Sequence, residues 1–380
     1  MKVVLIGLLL LLSVMNIAFC HFKITNINKR KNVMNITFYK RLGFIEPKLK
    51  DKGRTGQMTI GLDQSSYWFF KSQQKDSKSL IICLGISPGI STLIDMSNGL
   101  GPFRSKTKNK ASSLGQWWVN NPHSLNKKAN LVFLDMMHKG GYSRFSTTKG
   151  LPIEAQNDIY FKHIMKLLDT ELAFDKLEIK DIYLHGVGFA TKFLPGLTNK
   201  LLSKGKAVKG LSVSSPMFSA YNNLKGSYVF SANNQLLSRS SLEEQQKYIE
   251  FLPVITKAKG DGAKSSIQKL LSSMPMYASK AYTPVNFLNI METCLTYHKV
   301  CLKGEYVRTV YMNNPKFQMV SGITKTKLEV IDLGFSEDPY NNNLFEVDVT
   351  NDYVKLLEMG VKVLVTTGEY DLLSSWQGNL

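Results

Sequence analysis

The chain has 380 residues, of which 43% are hydrophobic and 20% are charged, and its formal net charge is +19. This composition is typical of a globular protein with a full core and excludes an intrinsically disordered chain. The positive charge favours anionic partners, yet Lys and Arg are scattered, with dense runs only at Lys29-Arg30-Lys31 and from Arg104 to Lys110. Neither run interleaves the aromatic residues of a nucleic-acid stacking groove. We therefore expect a solvated basic surface and no nucleic-acid partner, with polyanion binding left open as a secondary property.

Residues 1–20 have the pattern of a secretory signal peptide. Lys2 precedes an apolar run from Val3 to Leu12, and Ala18 and Cys20 place small residues at the cleavage site. The run is shorter than the roughly 20 residues that span a bilayer, and we expect no membrane span. The sequence thus predicts a secreted protein, or one held in a lysosome-like compartment of the secretory pathway.

Two covalent modifications are predicted for that compartment. Asn35, in the tripeptide Asn35-Ile36-Thr37, is a glycosylation candidate. Cys294 and Cys301 are close enough in sequence to form a disulfide, whereas Cys83 ends an apolar run and is expected to be a buried small hydrophobe. Neither a CxxC nor an HExxH motif occurs, and the histidines lack ligand spacing, so we expect no metal and no cofactor.

Short apolar runs predict buried strands, which lie at Ser79 to Leu84, Leu131 to Leu134, Ile182 to Leu184 and Val361 to Val365. A helical pattern lies between them at Asp158 to Leu172. Alternating strands and helices predict an α/β fold with a mostly parallel central sheet flanked by helices, whose ligand sites lie at the carboxyl ends of the strands.

The pattern changes between residues 231 and 302, where helical periodicity dominates. Ser241-Leu242-Glu243-Glu244 has the form of a capping box, the periodicity continues through Leu252, and a further helix is predicted at Ser265 to Leu271. We interpret this segment as a helical cap inserted into a core formed by residues 21–230 and 303–380.

A strand, a tight small-residue turn and an apolar helix follow one another around His185-Gly186-Val187-Gly188-Phe189-Ala190-Thr191. This is the pattern of the nucleophile elbow, G-x-S-x-G, with Gly188 at the position of the nucleophile. Taken alone, the pattern is weak evidence and favours an ordinary connection between a strand and a helix.

Further segments occur in the order found in the serine carboxypeptidases, a branch of the α/β-hydrolases, which the chain resembles over most of its length. These segments are Ser66-Tyr67-Trp68-Phe69-Phe70, Leu84 to Thr92 (compare L-N-G-G-P-G-C-S-S), Gly99 to Phe103 (E-L-G-P-F), Asn121 to Asn126 with Leu131 to Asp135, Gly186 to Thr191 (G-E-S-Y-A-G) and Val363 to Asn379. The resemblance implies an α/β-hydrolase-type sheet and a serine-type carboxypeptidase activity.

The resemblance also assigns site residues. Gly188 occupies the nucleophile position, Asp371 matches the acid of the triad, and the base histidine has no counterpart downstream, because the last histidine is His298. The oxyanion hole would use the backbone N–H groups of Ser87 and Phe189. A glycine cannot attack a carbonyl, so acyl-enzyme chemistry is not expected at this position.

The polar groups with which the family holds a peptide's terminal carboxylate align with Gly85, Gly99 and Val187, none of which has a polar side chain. We expect Ser91 and Thr92 to act only as helix N-caps. His185 lies next to the elbow but is expected to point away from the pocket. The family's last strand and terminal helix have no counterpart, so the Val361 to Val365 strand is expected to be an exposed edge that a protein partner could cover.

Three interpretations of the function follow. The first is an inactive, secreted serine-carboxypeptidase-like protein that acts as a binding or structural module, with peptides or a protein as partner. The second is a true serine carboxypeptidase whose gene model is partial or faulty. The third is a basic secreted protein that binds polyanions, which would show salt-sensitive retention on heparin.

Overall fold

The computed structural model describes residues 33–35, 52–87, 90–105, 118–135, 141–145, 151–173, 176–257, 285–294, 313–315, 318 and 347–379. Its strands are β1 Val33–Asn35, β2 Gly53–Ile60, β3 Asp63–Phe70, β4 Ser79–Ser87, β5 Phe103–Ser105, β6 Trp118–Asn120, β7 Asn130–Asp135, β8 Asp181–Gly188, β9 Val208–Ser214, β10 Val285–Asn286, β11 Asn289–Thr293 and β12 Lys362–Thr366. The longer helices are α1 Ile153–Lys166, α2 Leu194–Ser203, α3 Ala220–Asn233, α4 Arg239–Lys257 and α5 Thr350–Glu358.

The central sheet has eight strands in the order β1-β2-β3-β7-β4-β8-β9-β12. Strands β7, β4, β8, β9 and β12 pair in parallel, whereas β1, β2 and β3 form an antiparallel edge, in which β3 also pairs antiparallel with β7. Parallel strands are buried on both faces, and β7 accordingly has no exposed residue. The expected α/β-hydrolase-type architecture, a mostly parallel sheet with flanking helices, is confirmed.

One face of the sheet packs on α1, α2 and α5 in a single apolar cluster. Its members include Ile82 of β4, Leu184 of β8, Tyr160 of α1, Leu197 of α2 and Leu356 of α5, all at most 1% exposed. Burial of a side chain of this size stabilises the fold by roughly 1.5–3 kcal/mol. This cluster holds α2, and therefore the turn that precedes it, against the carboxyl ends of β4 and β8.

The predicted strands are confirmed, but β4 and β8 continue further than their apolar runs. Ile86 pairs with Val187 and Ser87 with Gly188, so the polar and glycine residues after each run still belong to the sheet. The helix predicted from Asp158 begins earlier, at Ile153, because the fixed φ of Pro152 suits the residue before a first turn. It continues from Leu167 to Leu172 as a π-helix.

The capping box predicted at Ser241 is wrong. Helix α4 begins at Arg239, and the hydroxyl of Ser238 accepts a hydrogen bond from the Ser241 N–H at 3.2 Å. Ser238, Ser240 and Ser241 lie within four residues, and the sequence pattern assigned the capping role to Ser241 instead of Ser238. The helix predicted at Ser265 to Leu271 lies outside the described residues.

The boundaries of the cap segment stay a prediction. Position 231 falls inside α3, and the described part of residues 231–302 contains the β10–β11 hairpin as well as α4. Leu372 packs on Phe230 of α3 and Phe287 of this hairpin, so the segment is joined to the second part of the core.

The predicted covalent sites are only partly described. Cys83 is free and buried, as expected, and Cys294 is disulfide-bonded, whereas its predicted partner Cys301 lies outside the described residues. Asn35 lies in β1, opposite Arg54 of β2. Residues 1–20 are also outside the described part, and no helix within that part is long and apolar enough to cross a membrane.

Candidate functional site

The turn after β8 has the geometry of a nucleophile elbow. Gly188 ends the strand with φ 55° and ψ −124°, and a 3-10 helix, Phe189–Lys192, then leads into α2. The Thr191 hydroxyl donates a hydrogen bond back to the Gly188 carbonyl at 2.6 Å, which closes the turn. A residue with a Cβ rarely adopts this backbone conformation, at a cost of about 1–3 kcal/mol. Glycine relieves the strain but brings no side chain to the site.

The predicted oxyanion-hole residues come from neighbouring strands. Ser87 is the register partner of Gly188, and Phe189 is the next residue along the chain. Their backbone groups therefore lie at the same end of the sheet, beside the elbow. The assignment of an oxyanion hole to these N–H groups remains a prediction.

The three positions aligned with carboxylate recognition have different surroundings. Gly85 has φ 73°, and a Cβ built there would lie 2.8 Å from Cγ2 of Thr92, so a side chain would be strained and crowded. The Gly99 carbonyl accepts a hydrogen bond of 2.7 Å from the amide of Asn121. Val187 is half-buried. None of these positions supplies a charge or a polar side chain.

Asp371 lies in the loop after β12 and is 6% exposed. The Ser215 hydroxyl donates to Oδ2 at 2.7 Å, and the Ser374 N–H donates to Oδ1 at 3.0 Å. Burial raises the pKa of this carboxyl, although both hydrogen bonds oppose the shift. Ser215 has φ 44°, and it follows β9, a strand that was not predicted. Within the described residues, Asp371 therefore orders a loop and binds a serine rather than a histidine.

The two buried histidines of the described part have other partners. Nδ1 of His185 lies 3.1 Å from Oγ of Ser212, and Nδ1 of His163 lies 2.7 Å from Oγ of Ser65. Burial lowers the pKa of each ring to about 4. His185 thus contacts β9 and not Asp371, in agreement with the expectation that it takes no part as a base. His138 and His298 lie outside the described residues.

A buried polar cluster around Asp135, which the sequence did not reveal, fixes the loop after β4. The Asp135 carboxylate accepts hydrogen bonds from the Thr92 N–H at 2.7 Å and hydroxyl at 2.5 Å, and from the Ser91 hydroxyl at 3.0 Å. Burial raises the pKa of Asp135, and these donors counteract the shift. Ser143 donates to the Asp135 carbonyl and accepts from the Ser66 N–H. An acid at the end of a parallel strand was the only sequence signal.

The role expected for Ser91 and Thr92 is therefore only half right. Ser91 does cap a helical turn, since its hydroxyl accepts from the Leu93 N–H at 3.2 Å. Thr92 occupies the N-cap position but makes no side-chain capping bond, because its hydroxyl donates to Asp135 instead. The Asp135 carboxylate is charged and therefore a stronger acceptor than a backbone carbonyl. It lies 43 positions from Thr92 in the sequence, so the local pattern did not indicate this contact.

Lys192 is a second residue that the sequence did not reveal. It is 2% exposed, and Nζ donates to the carbonyls of Val347 and Phe218. Burial lowers its pKa to about 8, while the charge of Asp348 opposes the shift. The Tyr353 hydroxyl donates to the Thr191 carbonyl at 2.7 Å. The turn is thus tied to α5 and to the segment before it.

Within the described residues, no group of three or more His, Cys, Asp or Glu side chains could hold a metal ion. At the carboxyl ends of the strands, the described groups are the backbone of β4 and β8 around the elbow and, after β9 and β12, the Ser215 hydroxyl bound to the buried Asp371 carboxylate.

Comparison with known proteins gives this arrangement a family. The profile of the serine carboxypeptidases matches residues 45–380. The chain belongs to the serine carboxypeptidase family. Among its relatives, serine carboxypeptidase-like 47 of Arabidopsis thaliana is 24% identical over 334 residues, which cover 82% of this chain and 61% of that protein. Carboxypeptidase Y homolog A of Fusarium vanettenii is 23% identical over 328 residues, with coverage of 82% and 58%.

A solved structure agrees on the fold. The structure of a prohormone-processing carboxypeptidase, Kex1, from Saccharomyces cerevisiae superposes with a TM-score of 0.70 at 16% identity, covering 92% of this chain and 80% of that one. This chain spans about 60% of the length of the two relatives named above. As a member of the serine carboxypeptidase family, it departs from the family pattern at Gly188, at the centre of the elbow.

Proposed function

We propose that this protein is a serine-carboxypeptidase-like binding module that forms no acyl-enzyme. The observation that carries the proposal is the elbow itself, whose central residue is Gly188 with φ 55°. A second observation supports it: the hydrogen bonds of the Asp371 carboxylate come from Ser215 and from the backbone of its own loop.

The chemistry of acyl transfer explains why the missing hydroxyl is decisive. A serine nucleophile needs a base to take its proton, and the base needs an acid to orient it. Removing the nucleophile alone from a comparable triad costs about 10⁶ in rate, and the oxyanion hole and substrate binding then retain roughly 10³–10⁴ over water. At Gly188 there is no oxygen to acylate, so restoring a base alone would not restore the reaction.

The site can still bind. The backbone N–H groups of Ser87 and Phe189 would offer donors to a carbonyl or carboxylate at the carboxyl end of the sheet. Gly85, Gly99 and Val187 add no charge-assisted hydrogen bond. We therefore propose that ligands, with peptides as the first class to test, bind through their backbone groups, and that the protein acts in the secretory pathway.

The test uses the purified full chain and a serine carboxypeptidase of known activity as the positive control. Both are treated with a fluorophosphonate probe and with a blocked dipeptide whose terminal residue is detected on release. We expect labelling and release for the control and neither for this protein. Release of the terminal residue by the wild-type chain, lost on Asp371→Ala, would overturn the proposal.

A matched variant separates the missing hydroxyl from the missing base. Gly188→Ser restores an oxygen at the elbow while Asp371 keeps its contact with Ser215. We expect at most slow labelling and no turnover from this variant, because the Asp371 carboxylate contacts Ser215 and no histidine of the described part. Efficient turnover would show that a base is present after all and that the glycine alone silences the chain.

The second candidate is an active serine carboxypeptidase whose gene model is faulty. The family match over residues 45–380 and the elbow geometry favour it. Sequencing the full transcript distinguishes the two candidates. A serine codon at position 188 together with a downstream histidine would establish the enzyme, whereas a glycine codon would support the binding module.

A further inference from the structure

The amino ends of the parallel strands collect lysines that are far apart in the sequence. Four neighbouring strands of the sheet, β2, β3, β7 and β4, each have a lysine at this end. Lys52 directly precedes β2, Lys71 directly follows the antiparallel strand β3, Lys128 lies two positions before β7, and Lys78 directly precedes β4. All four residues are exposed, and since neighbouring strands lie about 4.8 Å apart, their backbone positions span roughly 14 Å.

Hydrogen bonds fix the two loops that carry most of this charge, residues 71–78 and 125–129. The Ser77 hydroxyl donates to the Lys128 carbonyl at 2.8 Å, and the Asn130 amide donates to the Ser77 carbonyl at 3.0 Å. The loops are therefore held against each other at the end of the sheet. A ligand that binds their side chains does not have to order the backbone first, which lowers the cost of binding.

The two loops are strongly basic. They add Lys75 and Lys127, both exposed, and contain a single acid, Asp76. Like charges at neighbouring positions of adjacent strands repel each other, and carboxylates interleaved between them would remove the repulsion. This end of the sheet keeps the repulsion, which an anionic ligand would relieve.

On one flank of this surface the lysines do meet a carboxylate. Glu178 lies 2.8 Å from Nζ of Lys78 and 3.4 Å from Nζ of Lys180, so one carboxylate is shared between two ammonium groups. The side chains of Lys78 and Glu178 are 44% and 64% exposed, and exposed ion pairs of this kind are weak enough to exchange for a ligand. Glu178 therefore reduces the positive charge of the flank without cancelling it.

We propose that this surface is a binding site for a linear sulfated polysaccharide. The surface is formed by Lys52, Lys71, Lys75, Lys78, Lys127 and Lys128. Lysine binds a sulfate group as a point charge, and lysines that follow one another in sheet order suit a chain with repeated sulfates. The two loops contain neither an aromatic residue, on which a nucleic-acid base would stack, nor an arginine, which would read a guanine through two hydrogen bonds. The choice of a polysaccharide also rests on the secretory location proposed above.

The lysine surface is remote from the elbow. Strand β4 begins at Ser79, next to Lys78, and ends at Ser87, the register partner of Gly188. At about 3.3 Å per residue, the two ends of this strand lie roughly 25 Å apart. A polysaccharide bound at the amino ends of the strands therefore leaves the elbow free for a second ligand, and Gly188→Ser should not change its affinity.

The release of counterions sets the expected salt dependence. For a linear, single-stranded polyanion, the logarithm of the association constant falls by about 0.7 per neutralised charge for each tenfold rise in salt. About five contacts, from six lysines less the charge of Asp76, predict that a rise from about 50 to about 200 mM salt weakens binding roughly 100-fold. Loss of three of these contacts reduces that factor to less than about 10-fold.

The experiment is a calorimetric titration of the purified full chain with a size-defined heparin oligosaccharide at both salt concentrations. The test variant combines Lys75→Gln, Lys127→Gln and Lys128→Gln, which remove three charges from exposed positions of the two loops. We expect the wild type to bind at the lower salt concentration and to lose affinity about 100-fold at the higher one. The variant should bind at least about 10-fold more weakly at low salt and show the shallower salt dependence. A wild-type chain that does not bind heparin at low salt would overturn the proposal.

A matched variant tests whether binding comes from this surface or from the net charge of +19. Lys162→Gln, Lys225→Gln and Lys247→Gln remove the same charge from exposed positions on α1, α3 and α4. We expect this control to bind within about twofold of the wild type, because salt screens charges that do not contact the ligand. Thermal unfolding of both variants verifies that they remain folded. Equal losses of affinity in the two variants would assign binding to the diffuse charge and refute the site.

Other polyanions identify the class of ligand. A thymidine oligonucleotide matched in charge to the heparin, and vesicles that contain an anionic phospholipid, are titrated under the same conditions. We expect both to bind more weakly than heparin, and desulfated heparin not to bind. Tighter binding of the oligonucleotide or of the vesicles would contradict the assignment to a polysaccharide. These titrations do not involve the elbow, so their failure is distinguishable from failure of the proposed peptide-binding function.

Discussion

Replacing Gly188 by serine should destabilise the fold even though serine is the residue that the family's chemistry needs. The backbone at this position has φ 55° and ψ −124°, a conformation that costs a residue with a Cβ about 1–3 kcal/mol. An unfolding entropy of about 2.1 cal/mol/K per residue over 380 residues gives roughly 0.8 kcal/mol/K. We therefore expect Gly188→Ser to lower the Tm by about 1–4 °C.

Differential scanning calorimetry and urea unfolding at neutral pH measure this loss. Gly188→Ala should show a similar loss, because the strain comes from the Cβ and not from the hydroxyl. Gly205→Ala is the matched control, since Gly205 has φ 71° with free space around it and gives the cost of a Cβ at positive φ alone. An unchanged or raised Tm for Gly188→Ser would refute the view that glycine relieves strain at the elbow.

Further expectations concern buried titratable groups. His163 and His185 each have a pKa near 4 in the fold and a higher pKa when unfolded, so the unfolded chain binds more protons between pH 6.5 and 4. The contribution of these rings to stability should therefore be complete above pH 6.5 and decline as the pH falls towards 4, by up to roughly 3 kcal/mol per ring. In urea unfolding, the free energy of unfolding of His185→Gln should depend less steeply on pH than that of the wild type. Equal pH dependence in the two proteins would contradict this. Asp371→Ala should lower the free energy of unfolding by about 1–3 kcal/mol and Asp371→Asn by less, because the amide oxygen can still accept the hydrogen bond from the Ser374 N–H. Equal losses for the two variants in urea unfolding would assign the effect to the charge of the carboxylate. Asp135→Ala should lower the free energy of unfolding by roughly 3–5 kcal/mol, because the donors of Ser91 and Thr92 lose their acceptor. A loss under about 1 kcal/mol in urea unfolding would contradict this and show that water replaces the carboxylate.

The strands of the parallel sheet could be predicted where their apolar runs are unbroken. The run at Leu131 to Leu134 lies within β7, every residue of which is buried. Strand β9 escaped prediction because Lys209, Gly210 and Ser212 interrupt its apolar residues, although β8 and β12 pair with it on both sides. Neighbours in the sheet can thus supply backbone hydrogen bonds that the pattern of a single segment does not reveal.

The elbow was predictable because its strand, turn and helix are contiguous in the sequence. The partners of Asp371 and Lys192 were not, since they are distant along the chain: Ser215 lies 156 positions from Asp371, and Val347 lies 155 positions from Lys192. Buried polar groups find partners through the tertiary fold, and local residue patterns contain no record of that choice. The same reason hid the contacts of Asp135 with Ser91 and Thr92.

The cluster around Asp135 has a consequence for how such a protein changes over time. Its hydrogen bonds hold the loop after β4 in place with hydroxyl and backbone groups, and none of them involves position 188. The residues that hold this loop are therefore separate from the residue at the centre of the elbow. Substitutions at position 188 can accordingly change the chemistry of the elbow while selection on folding still preserves the loop beside it.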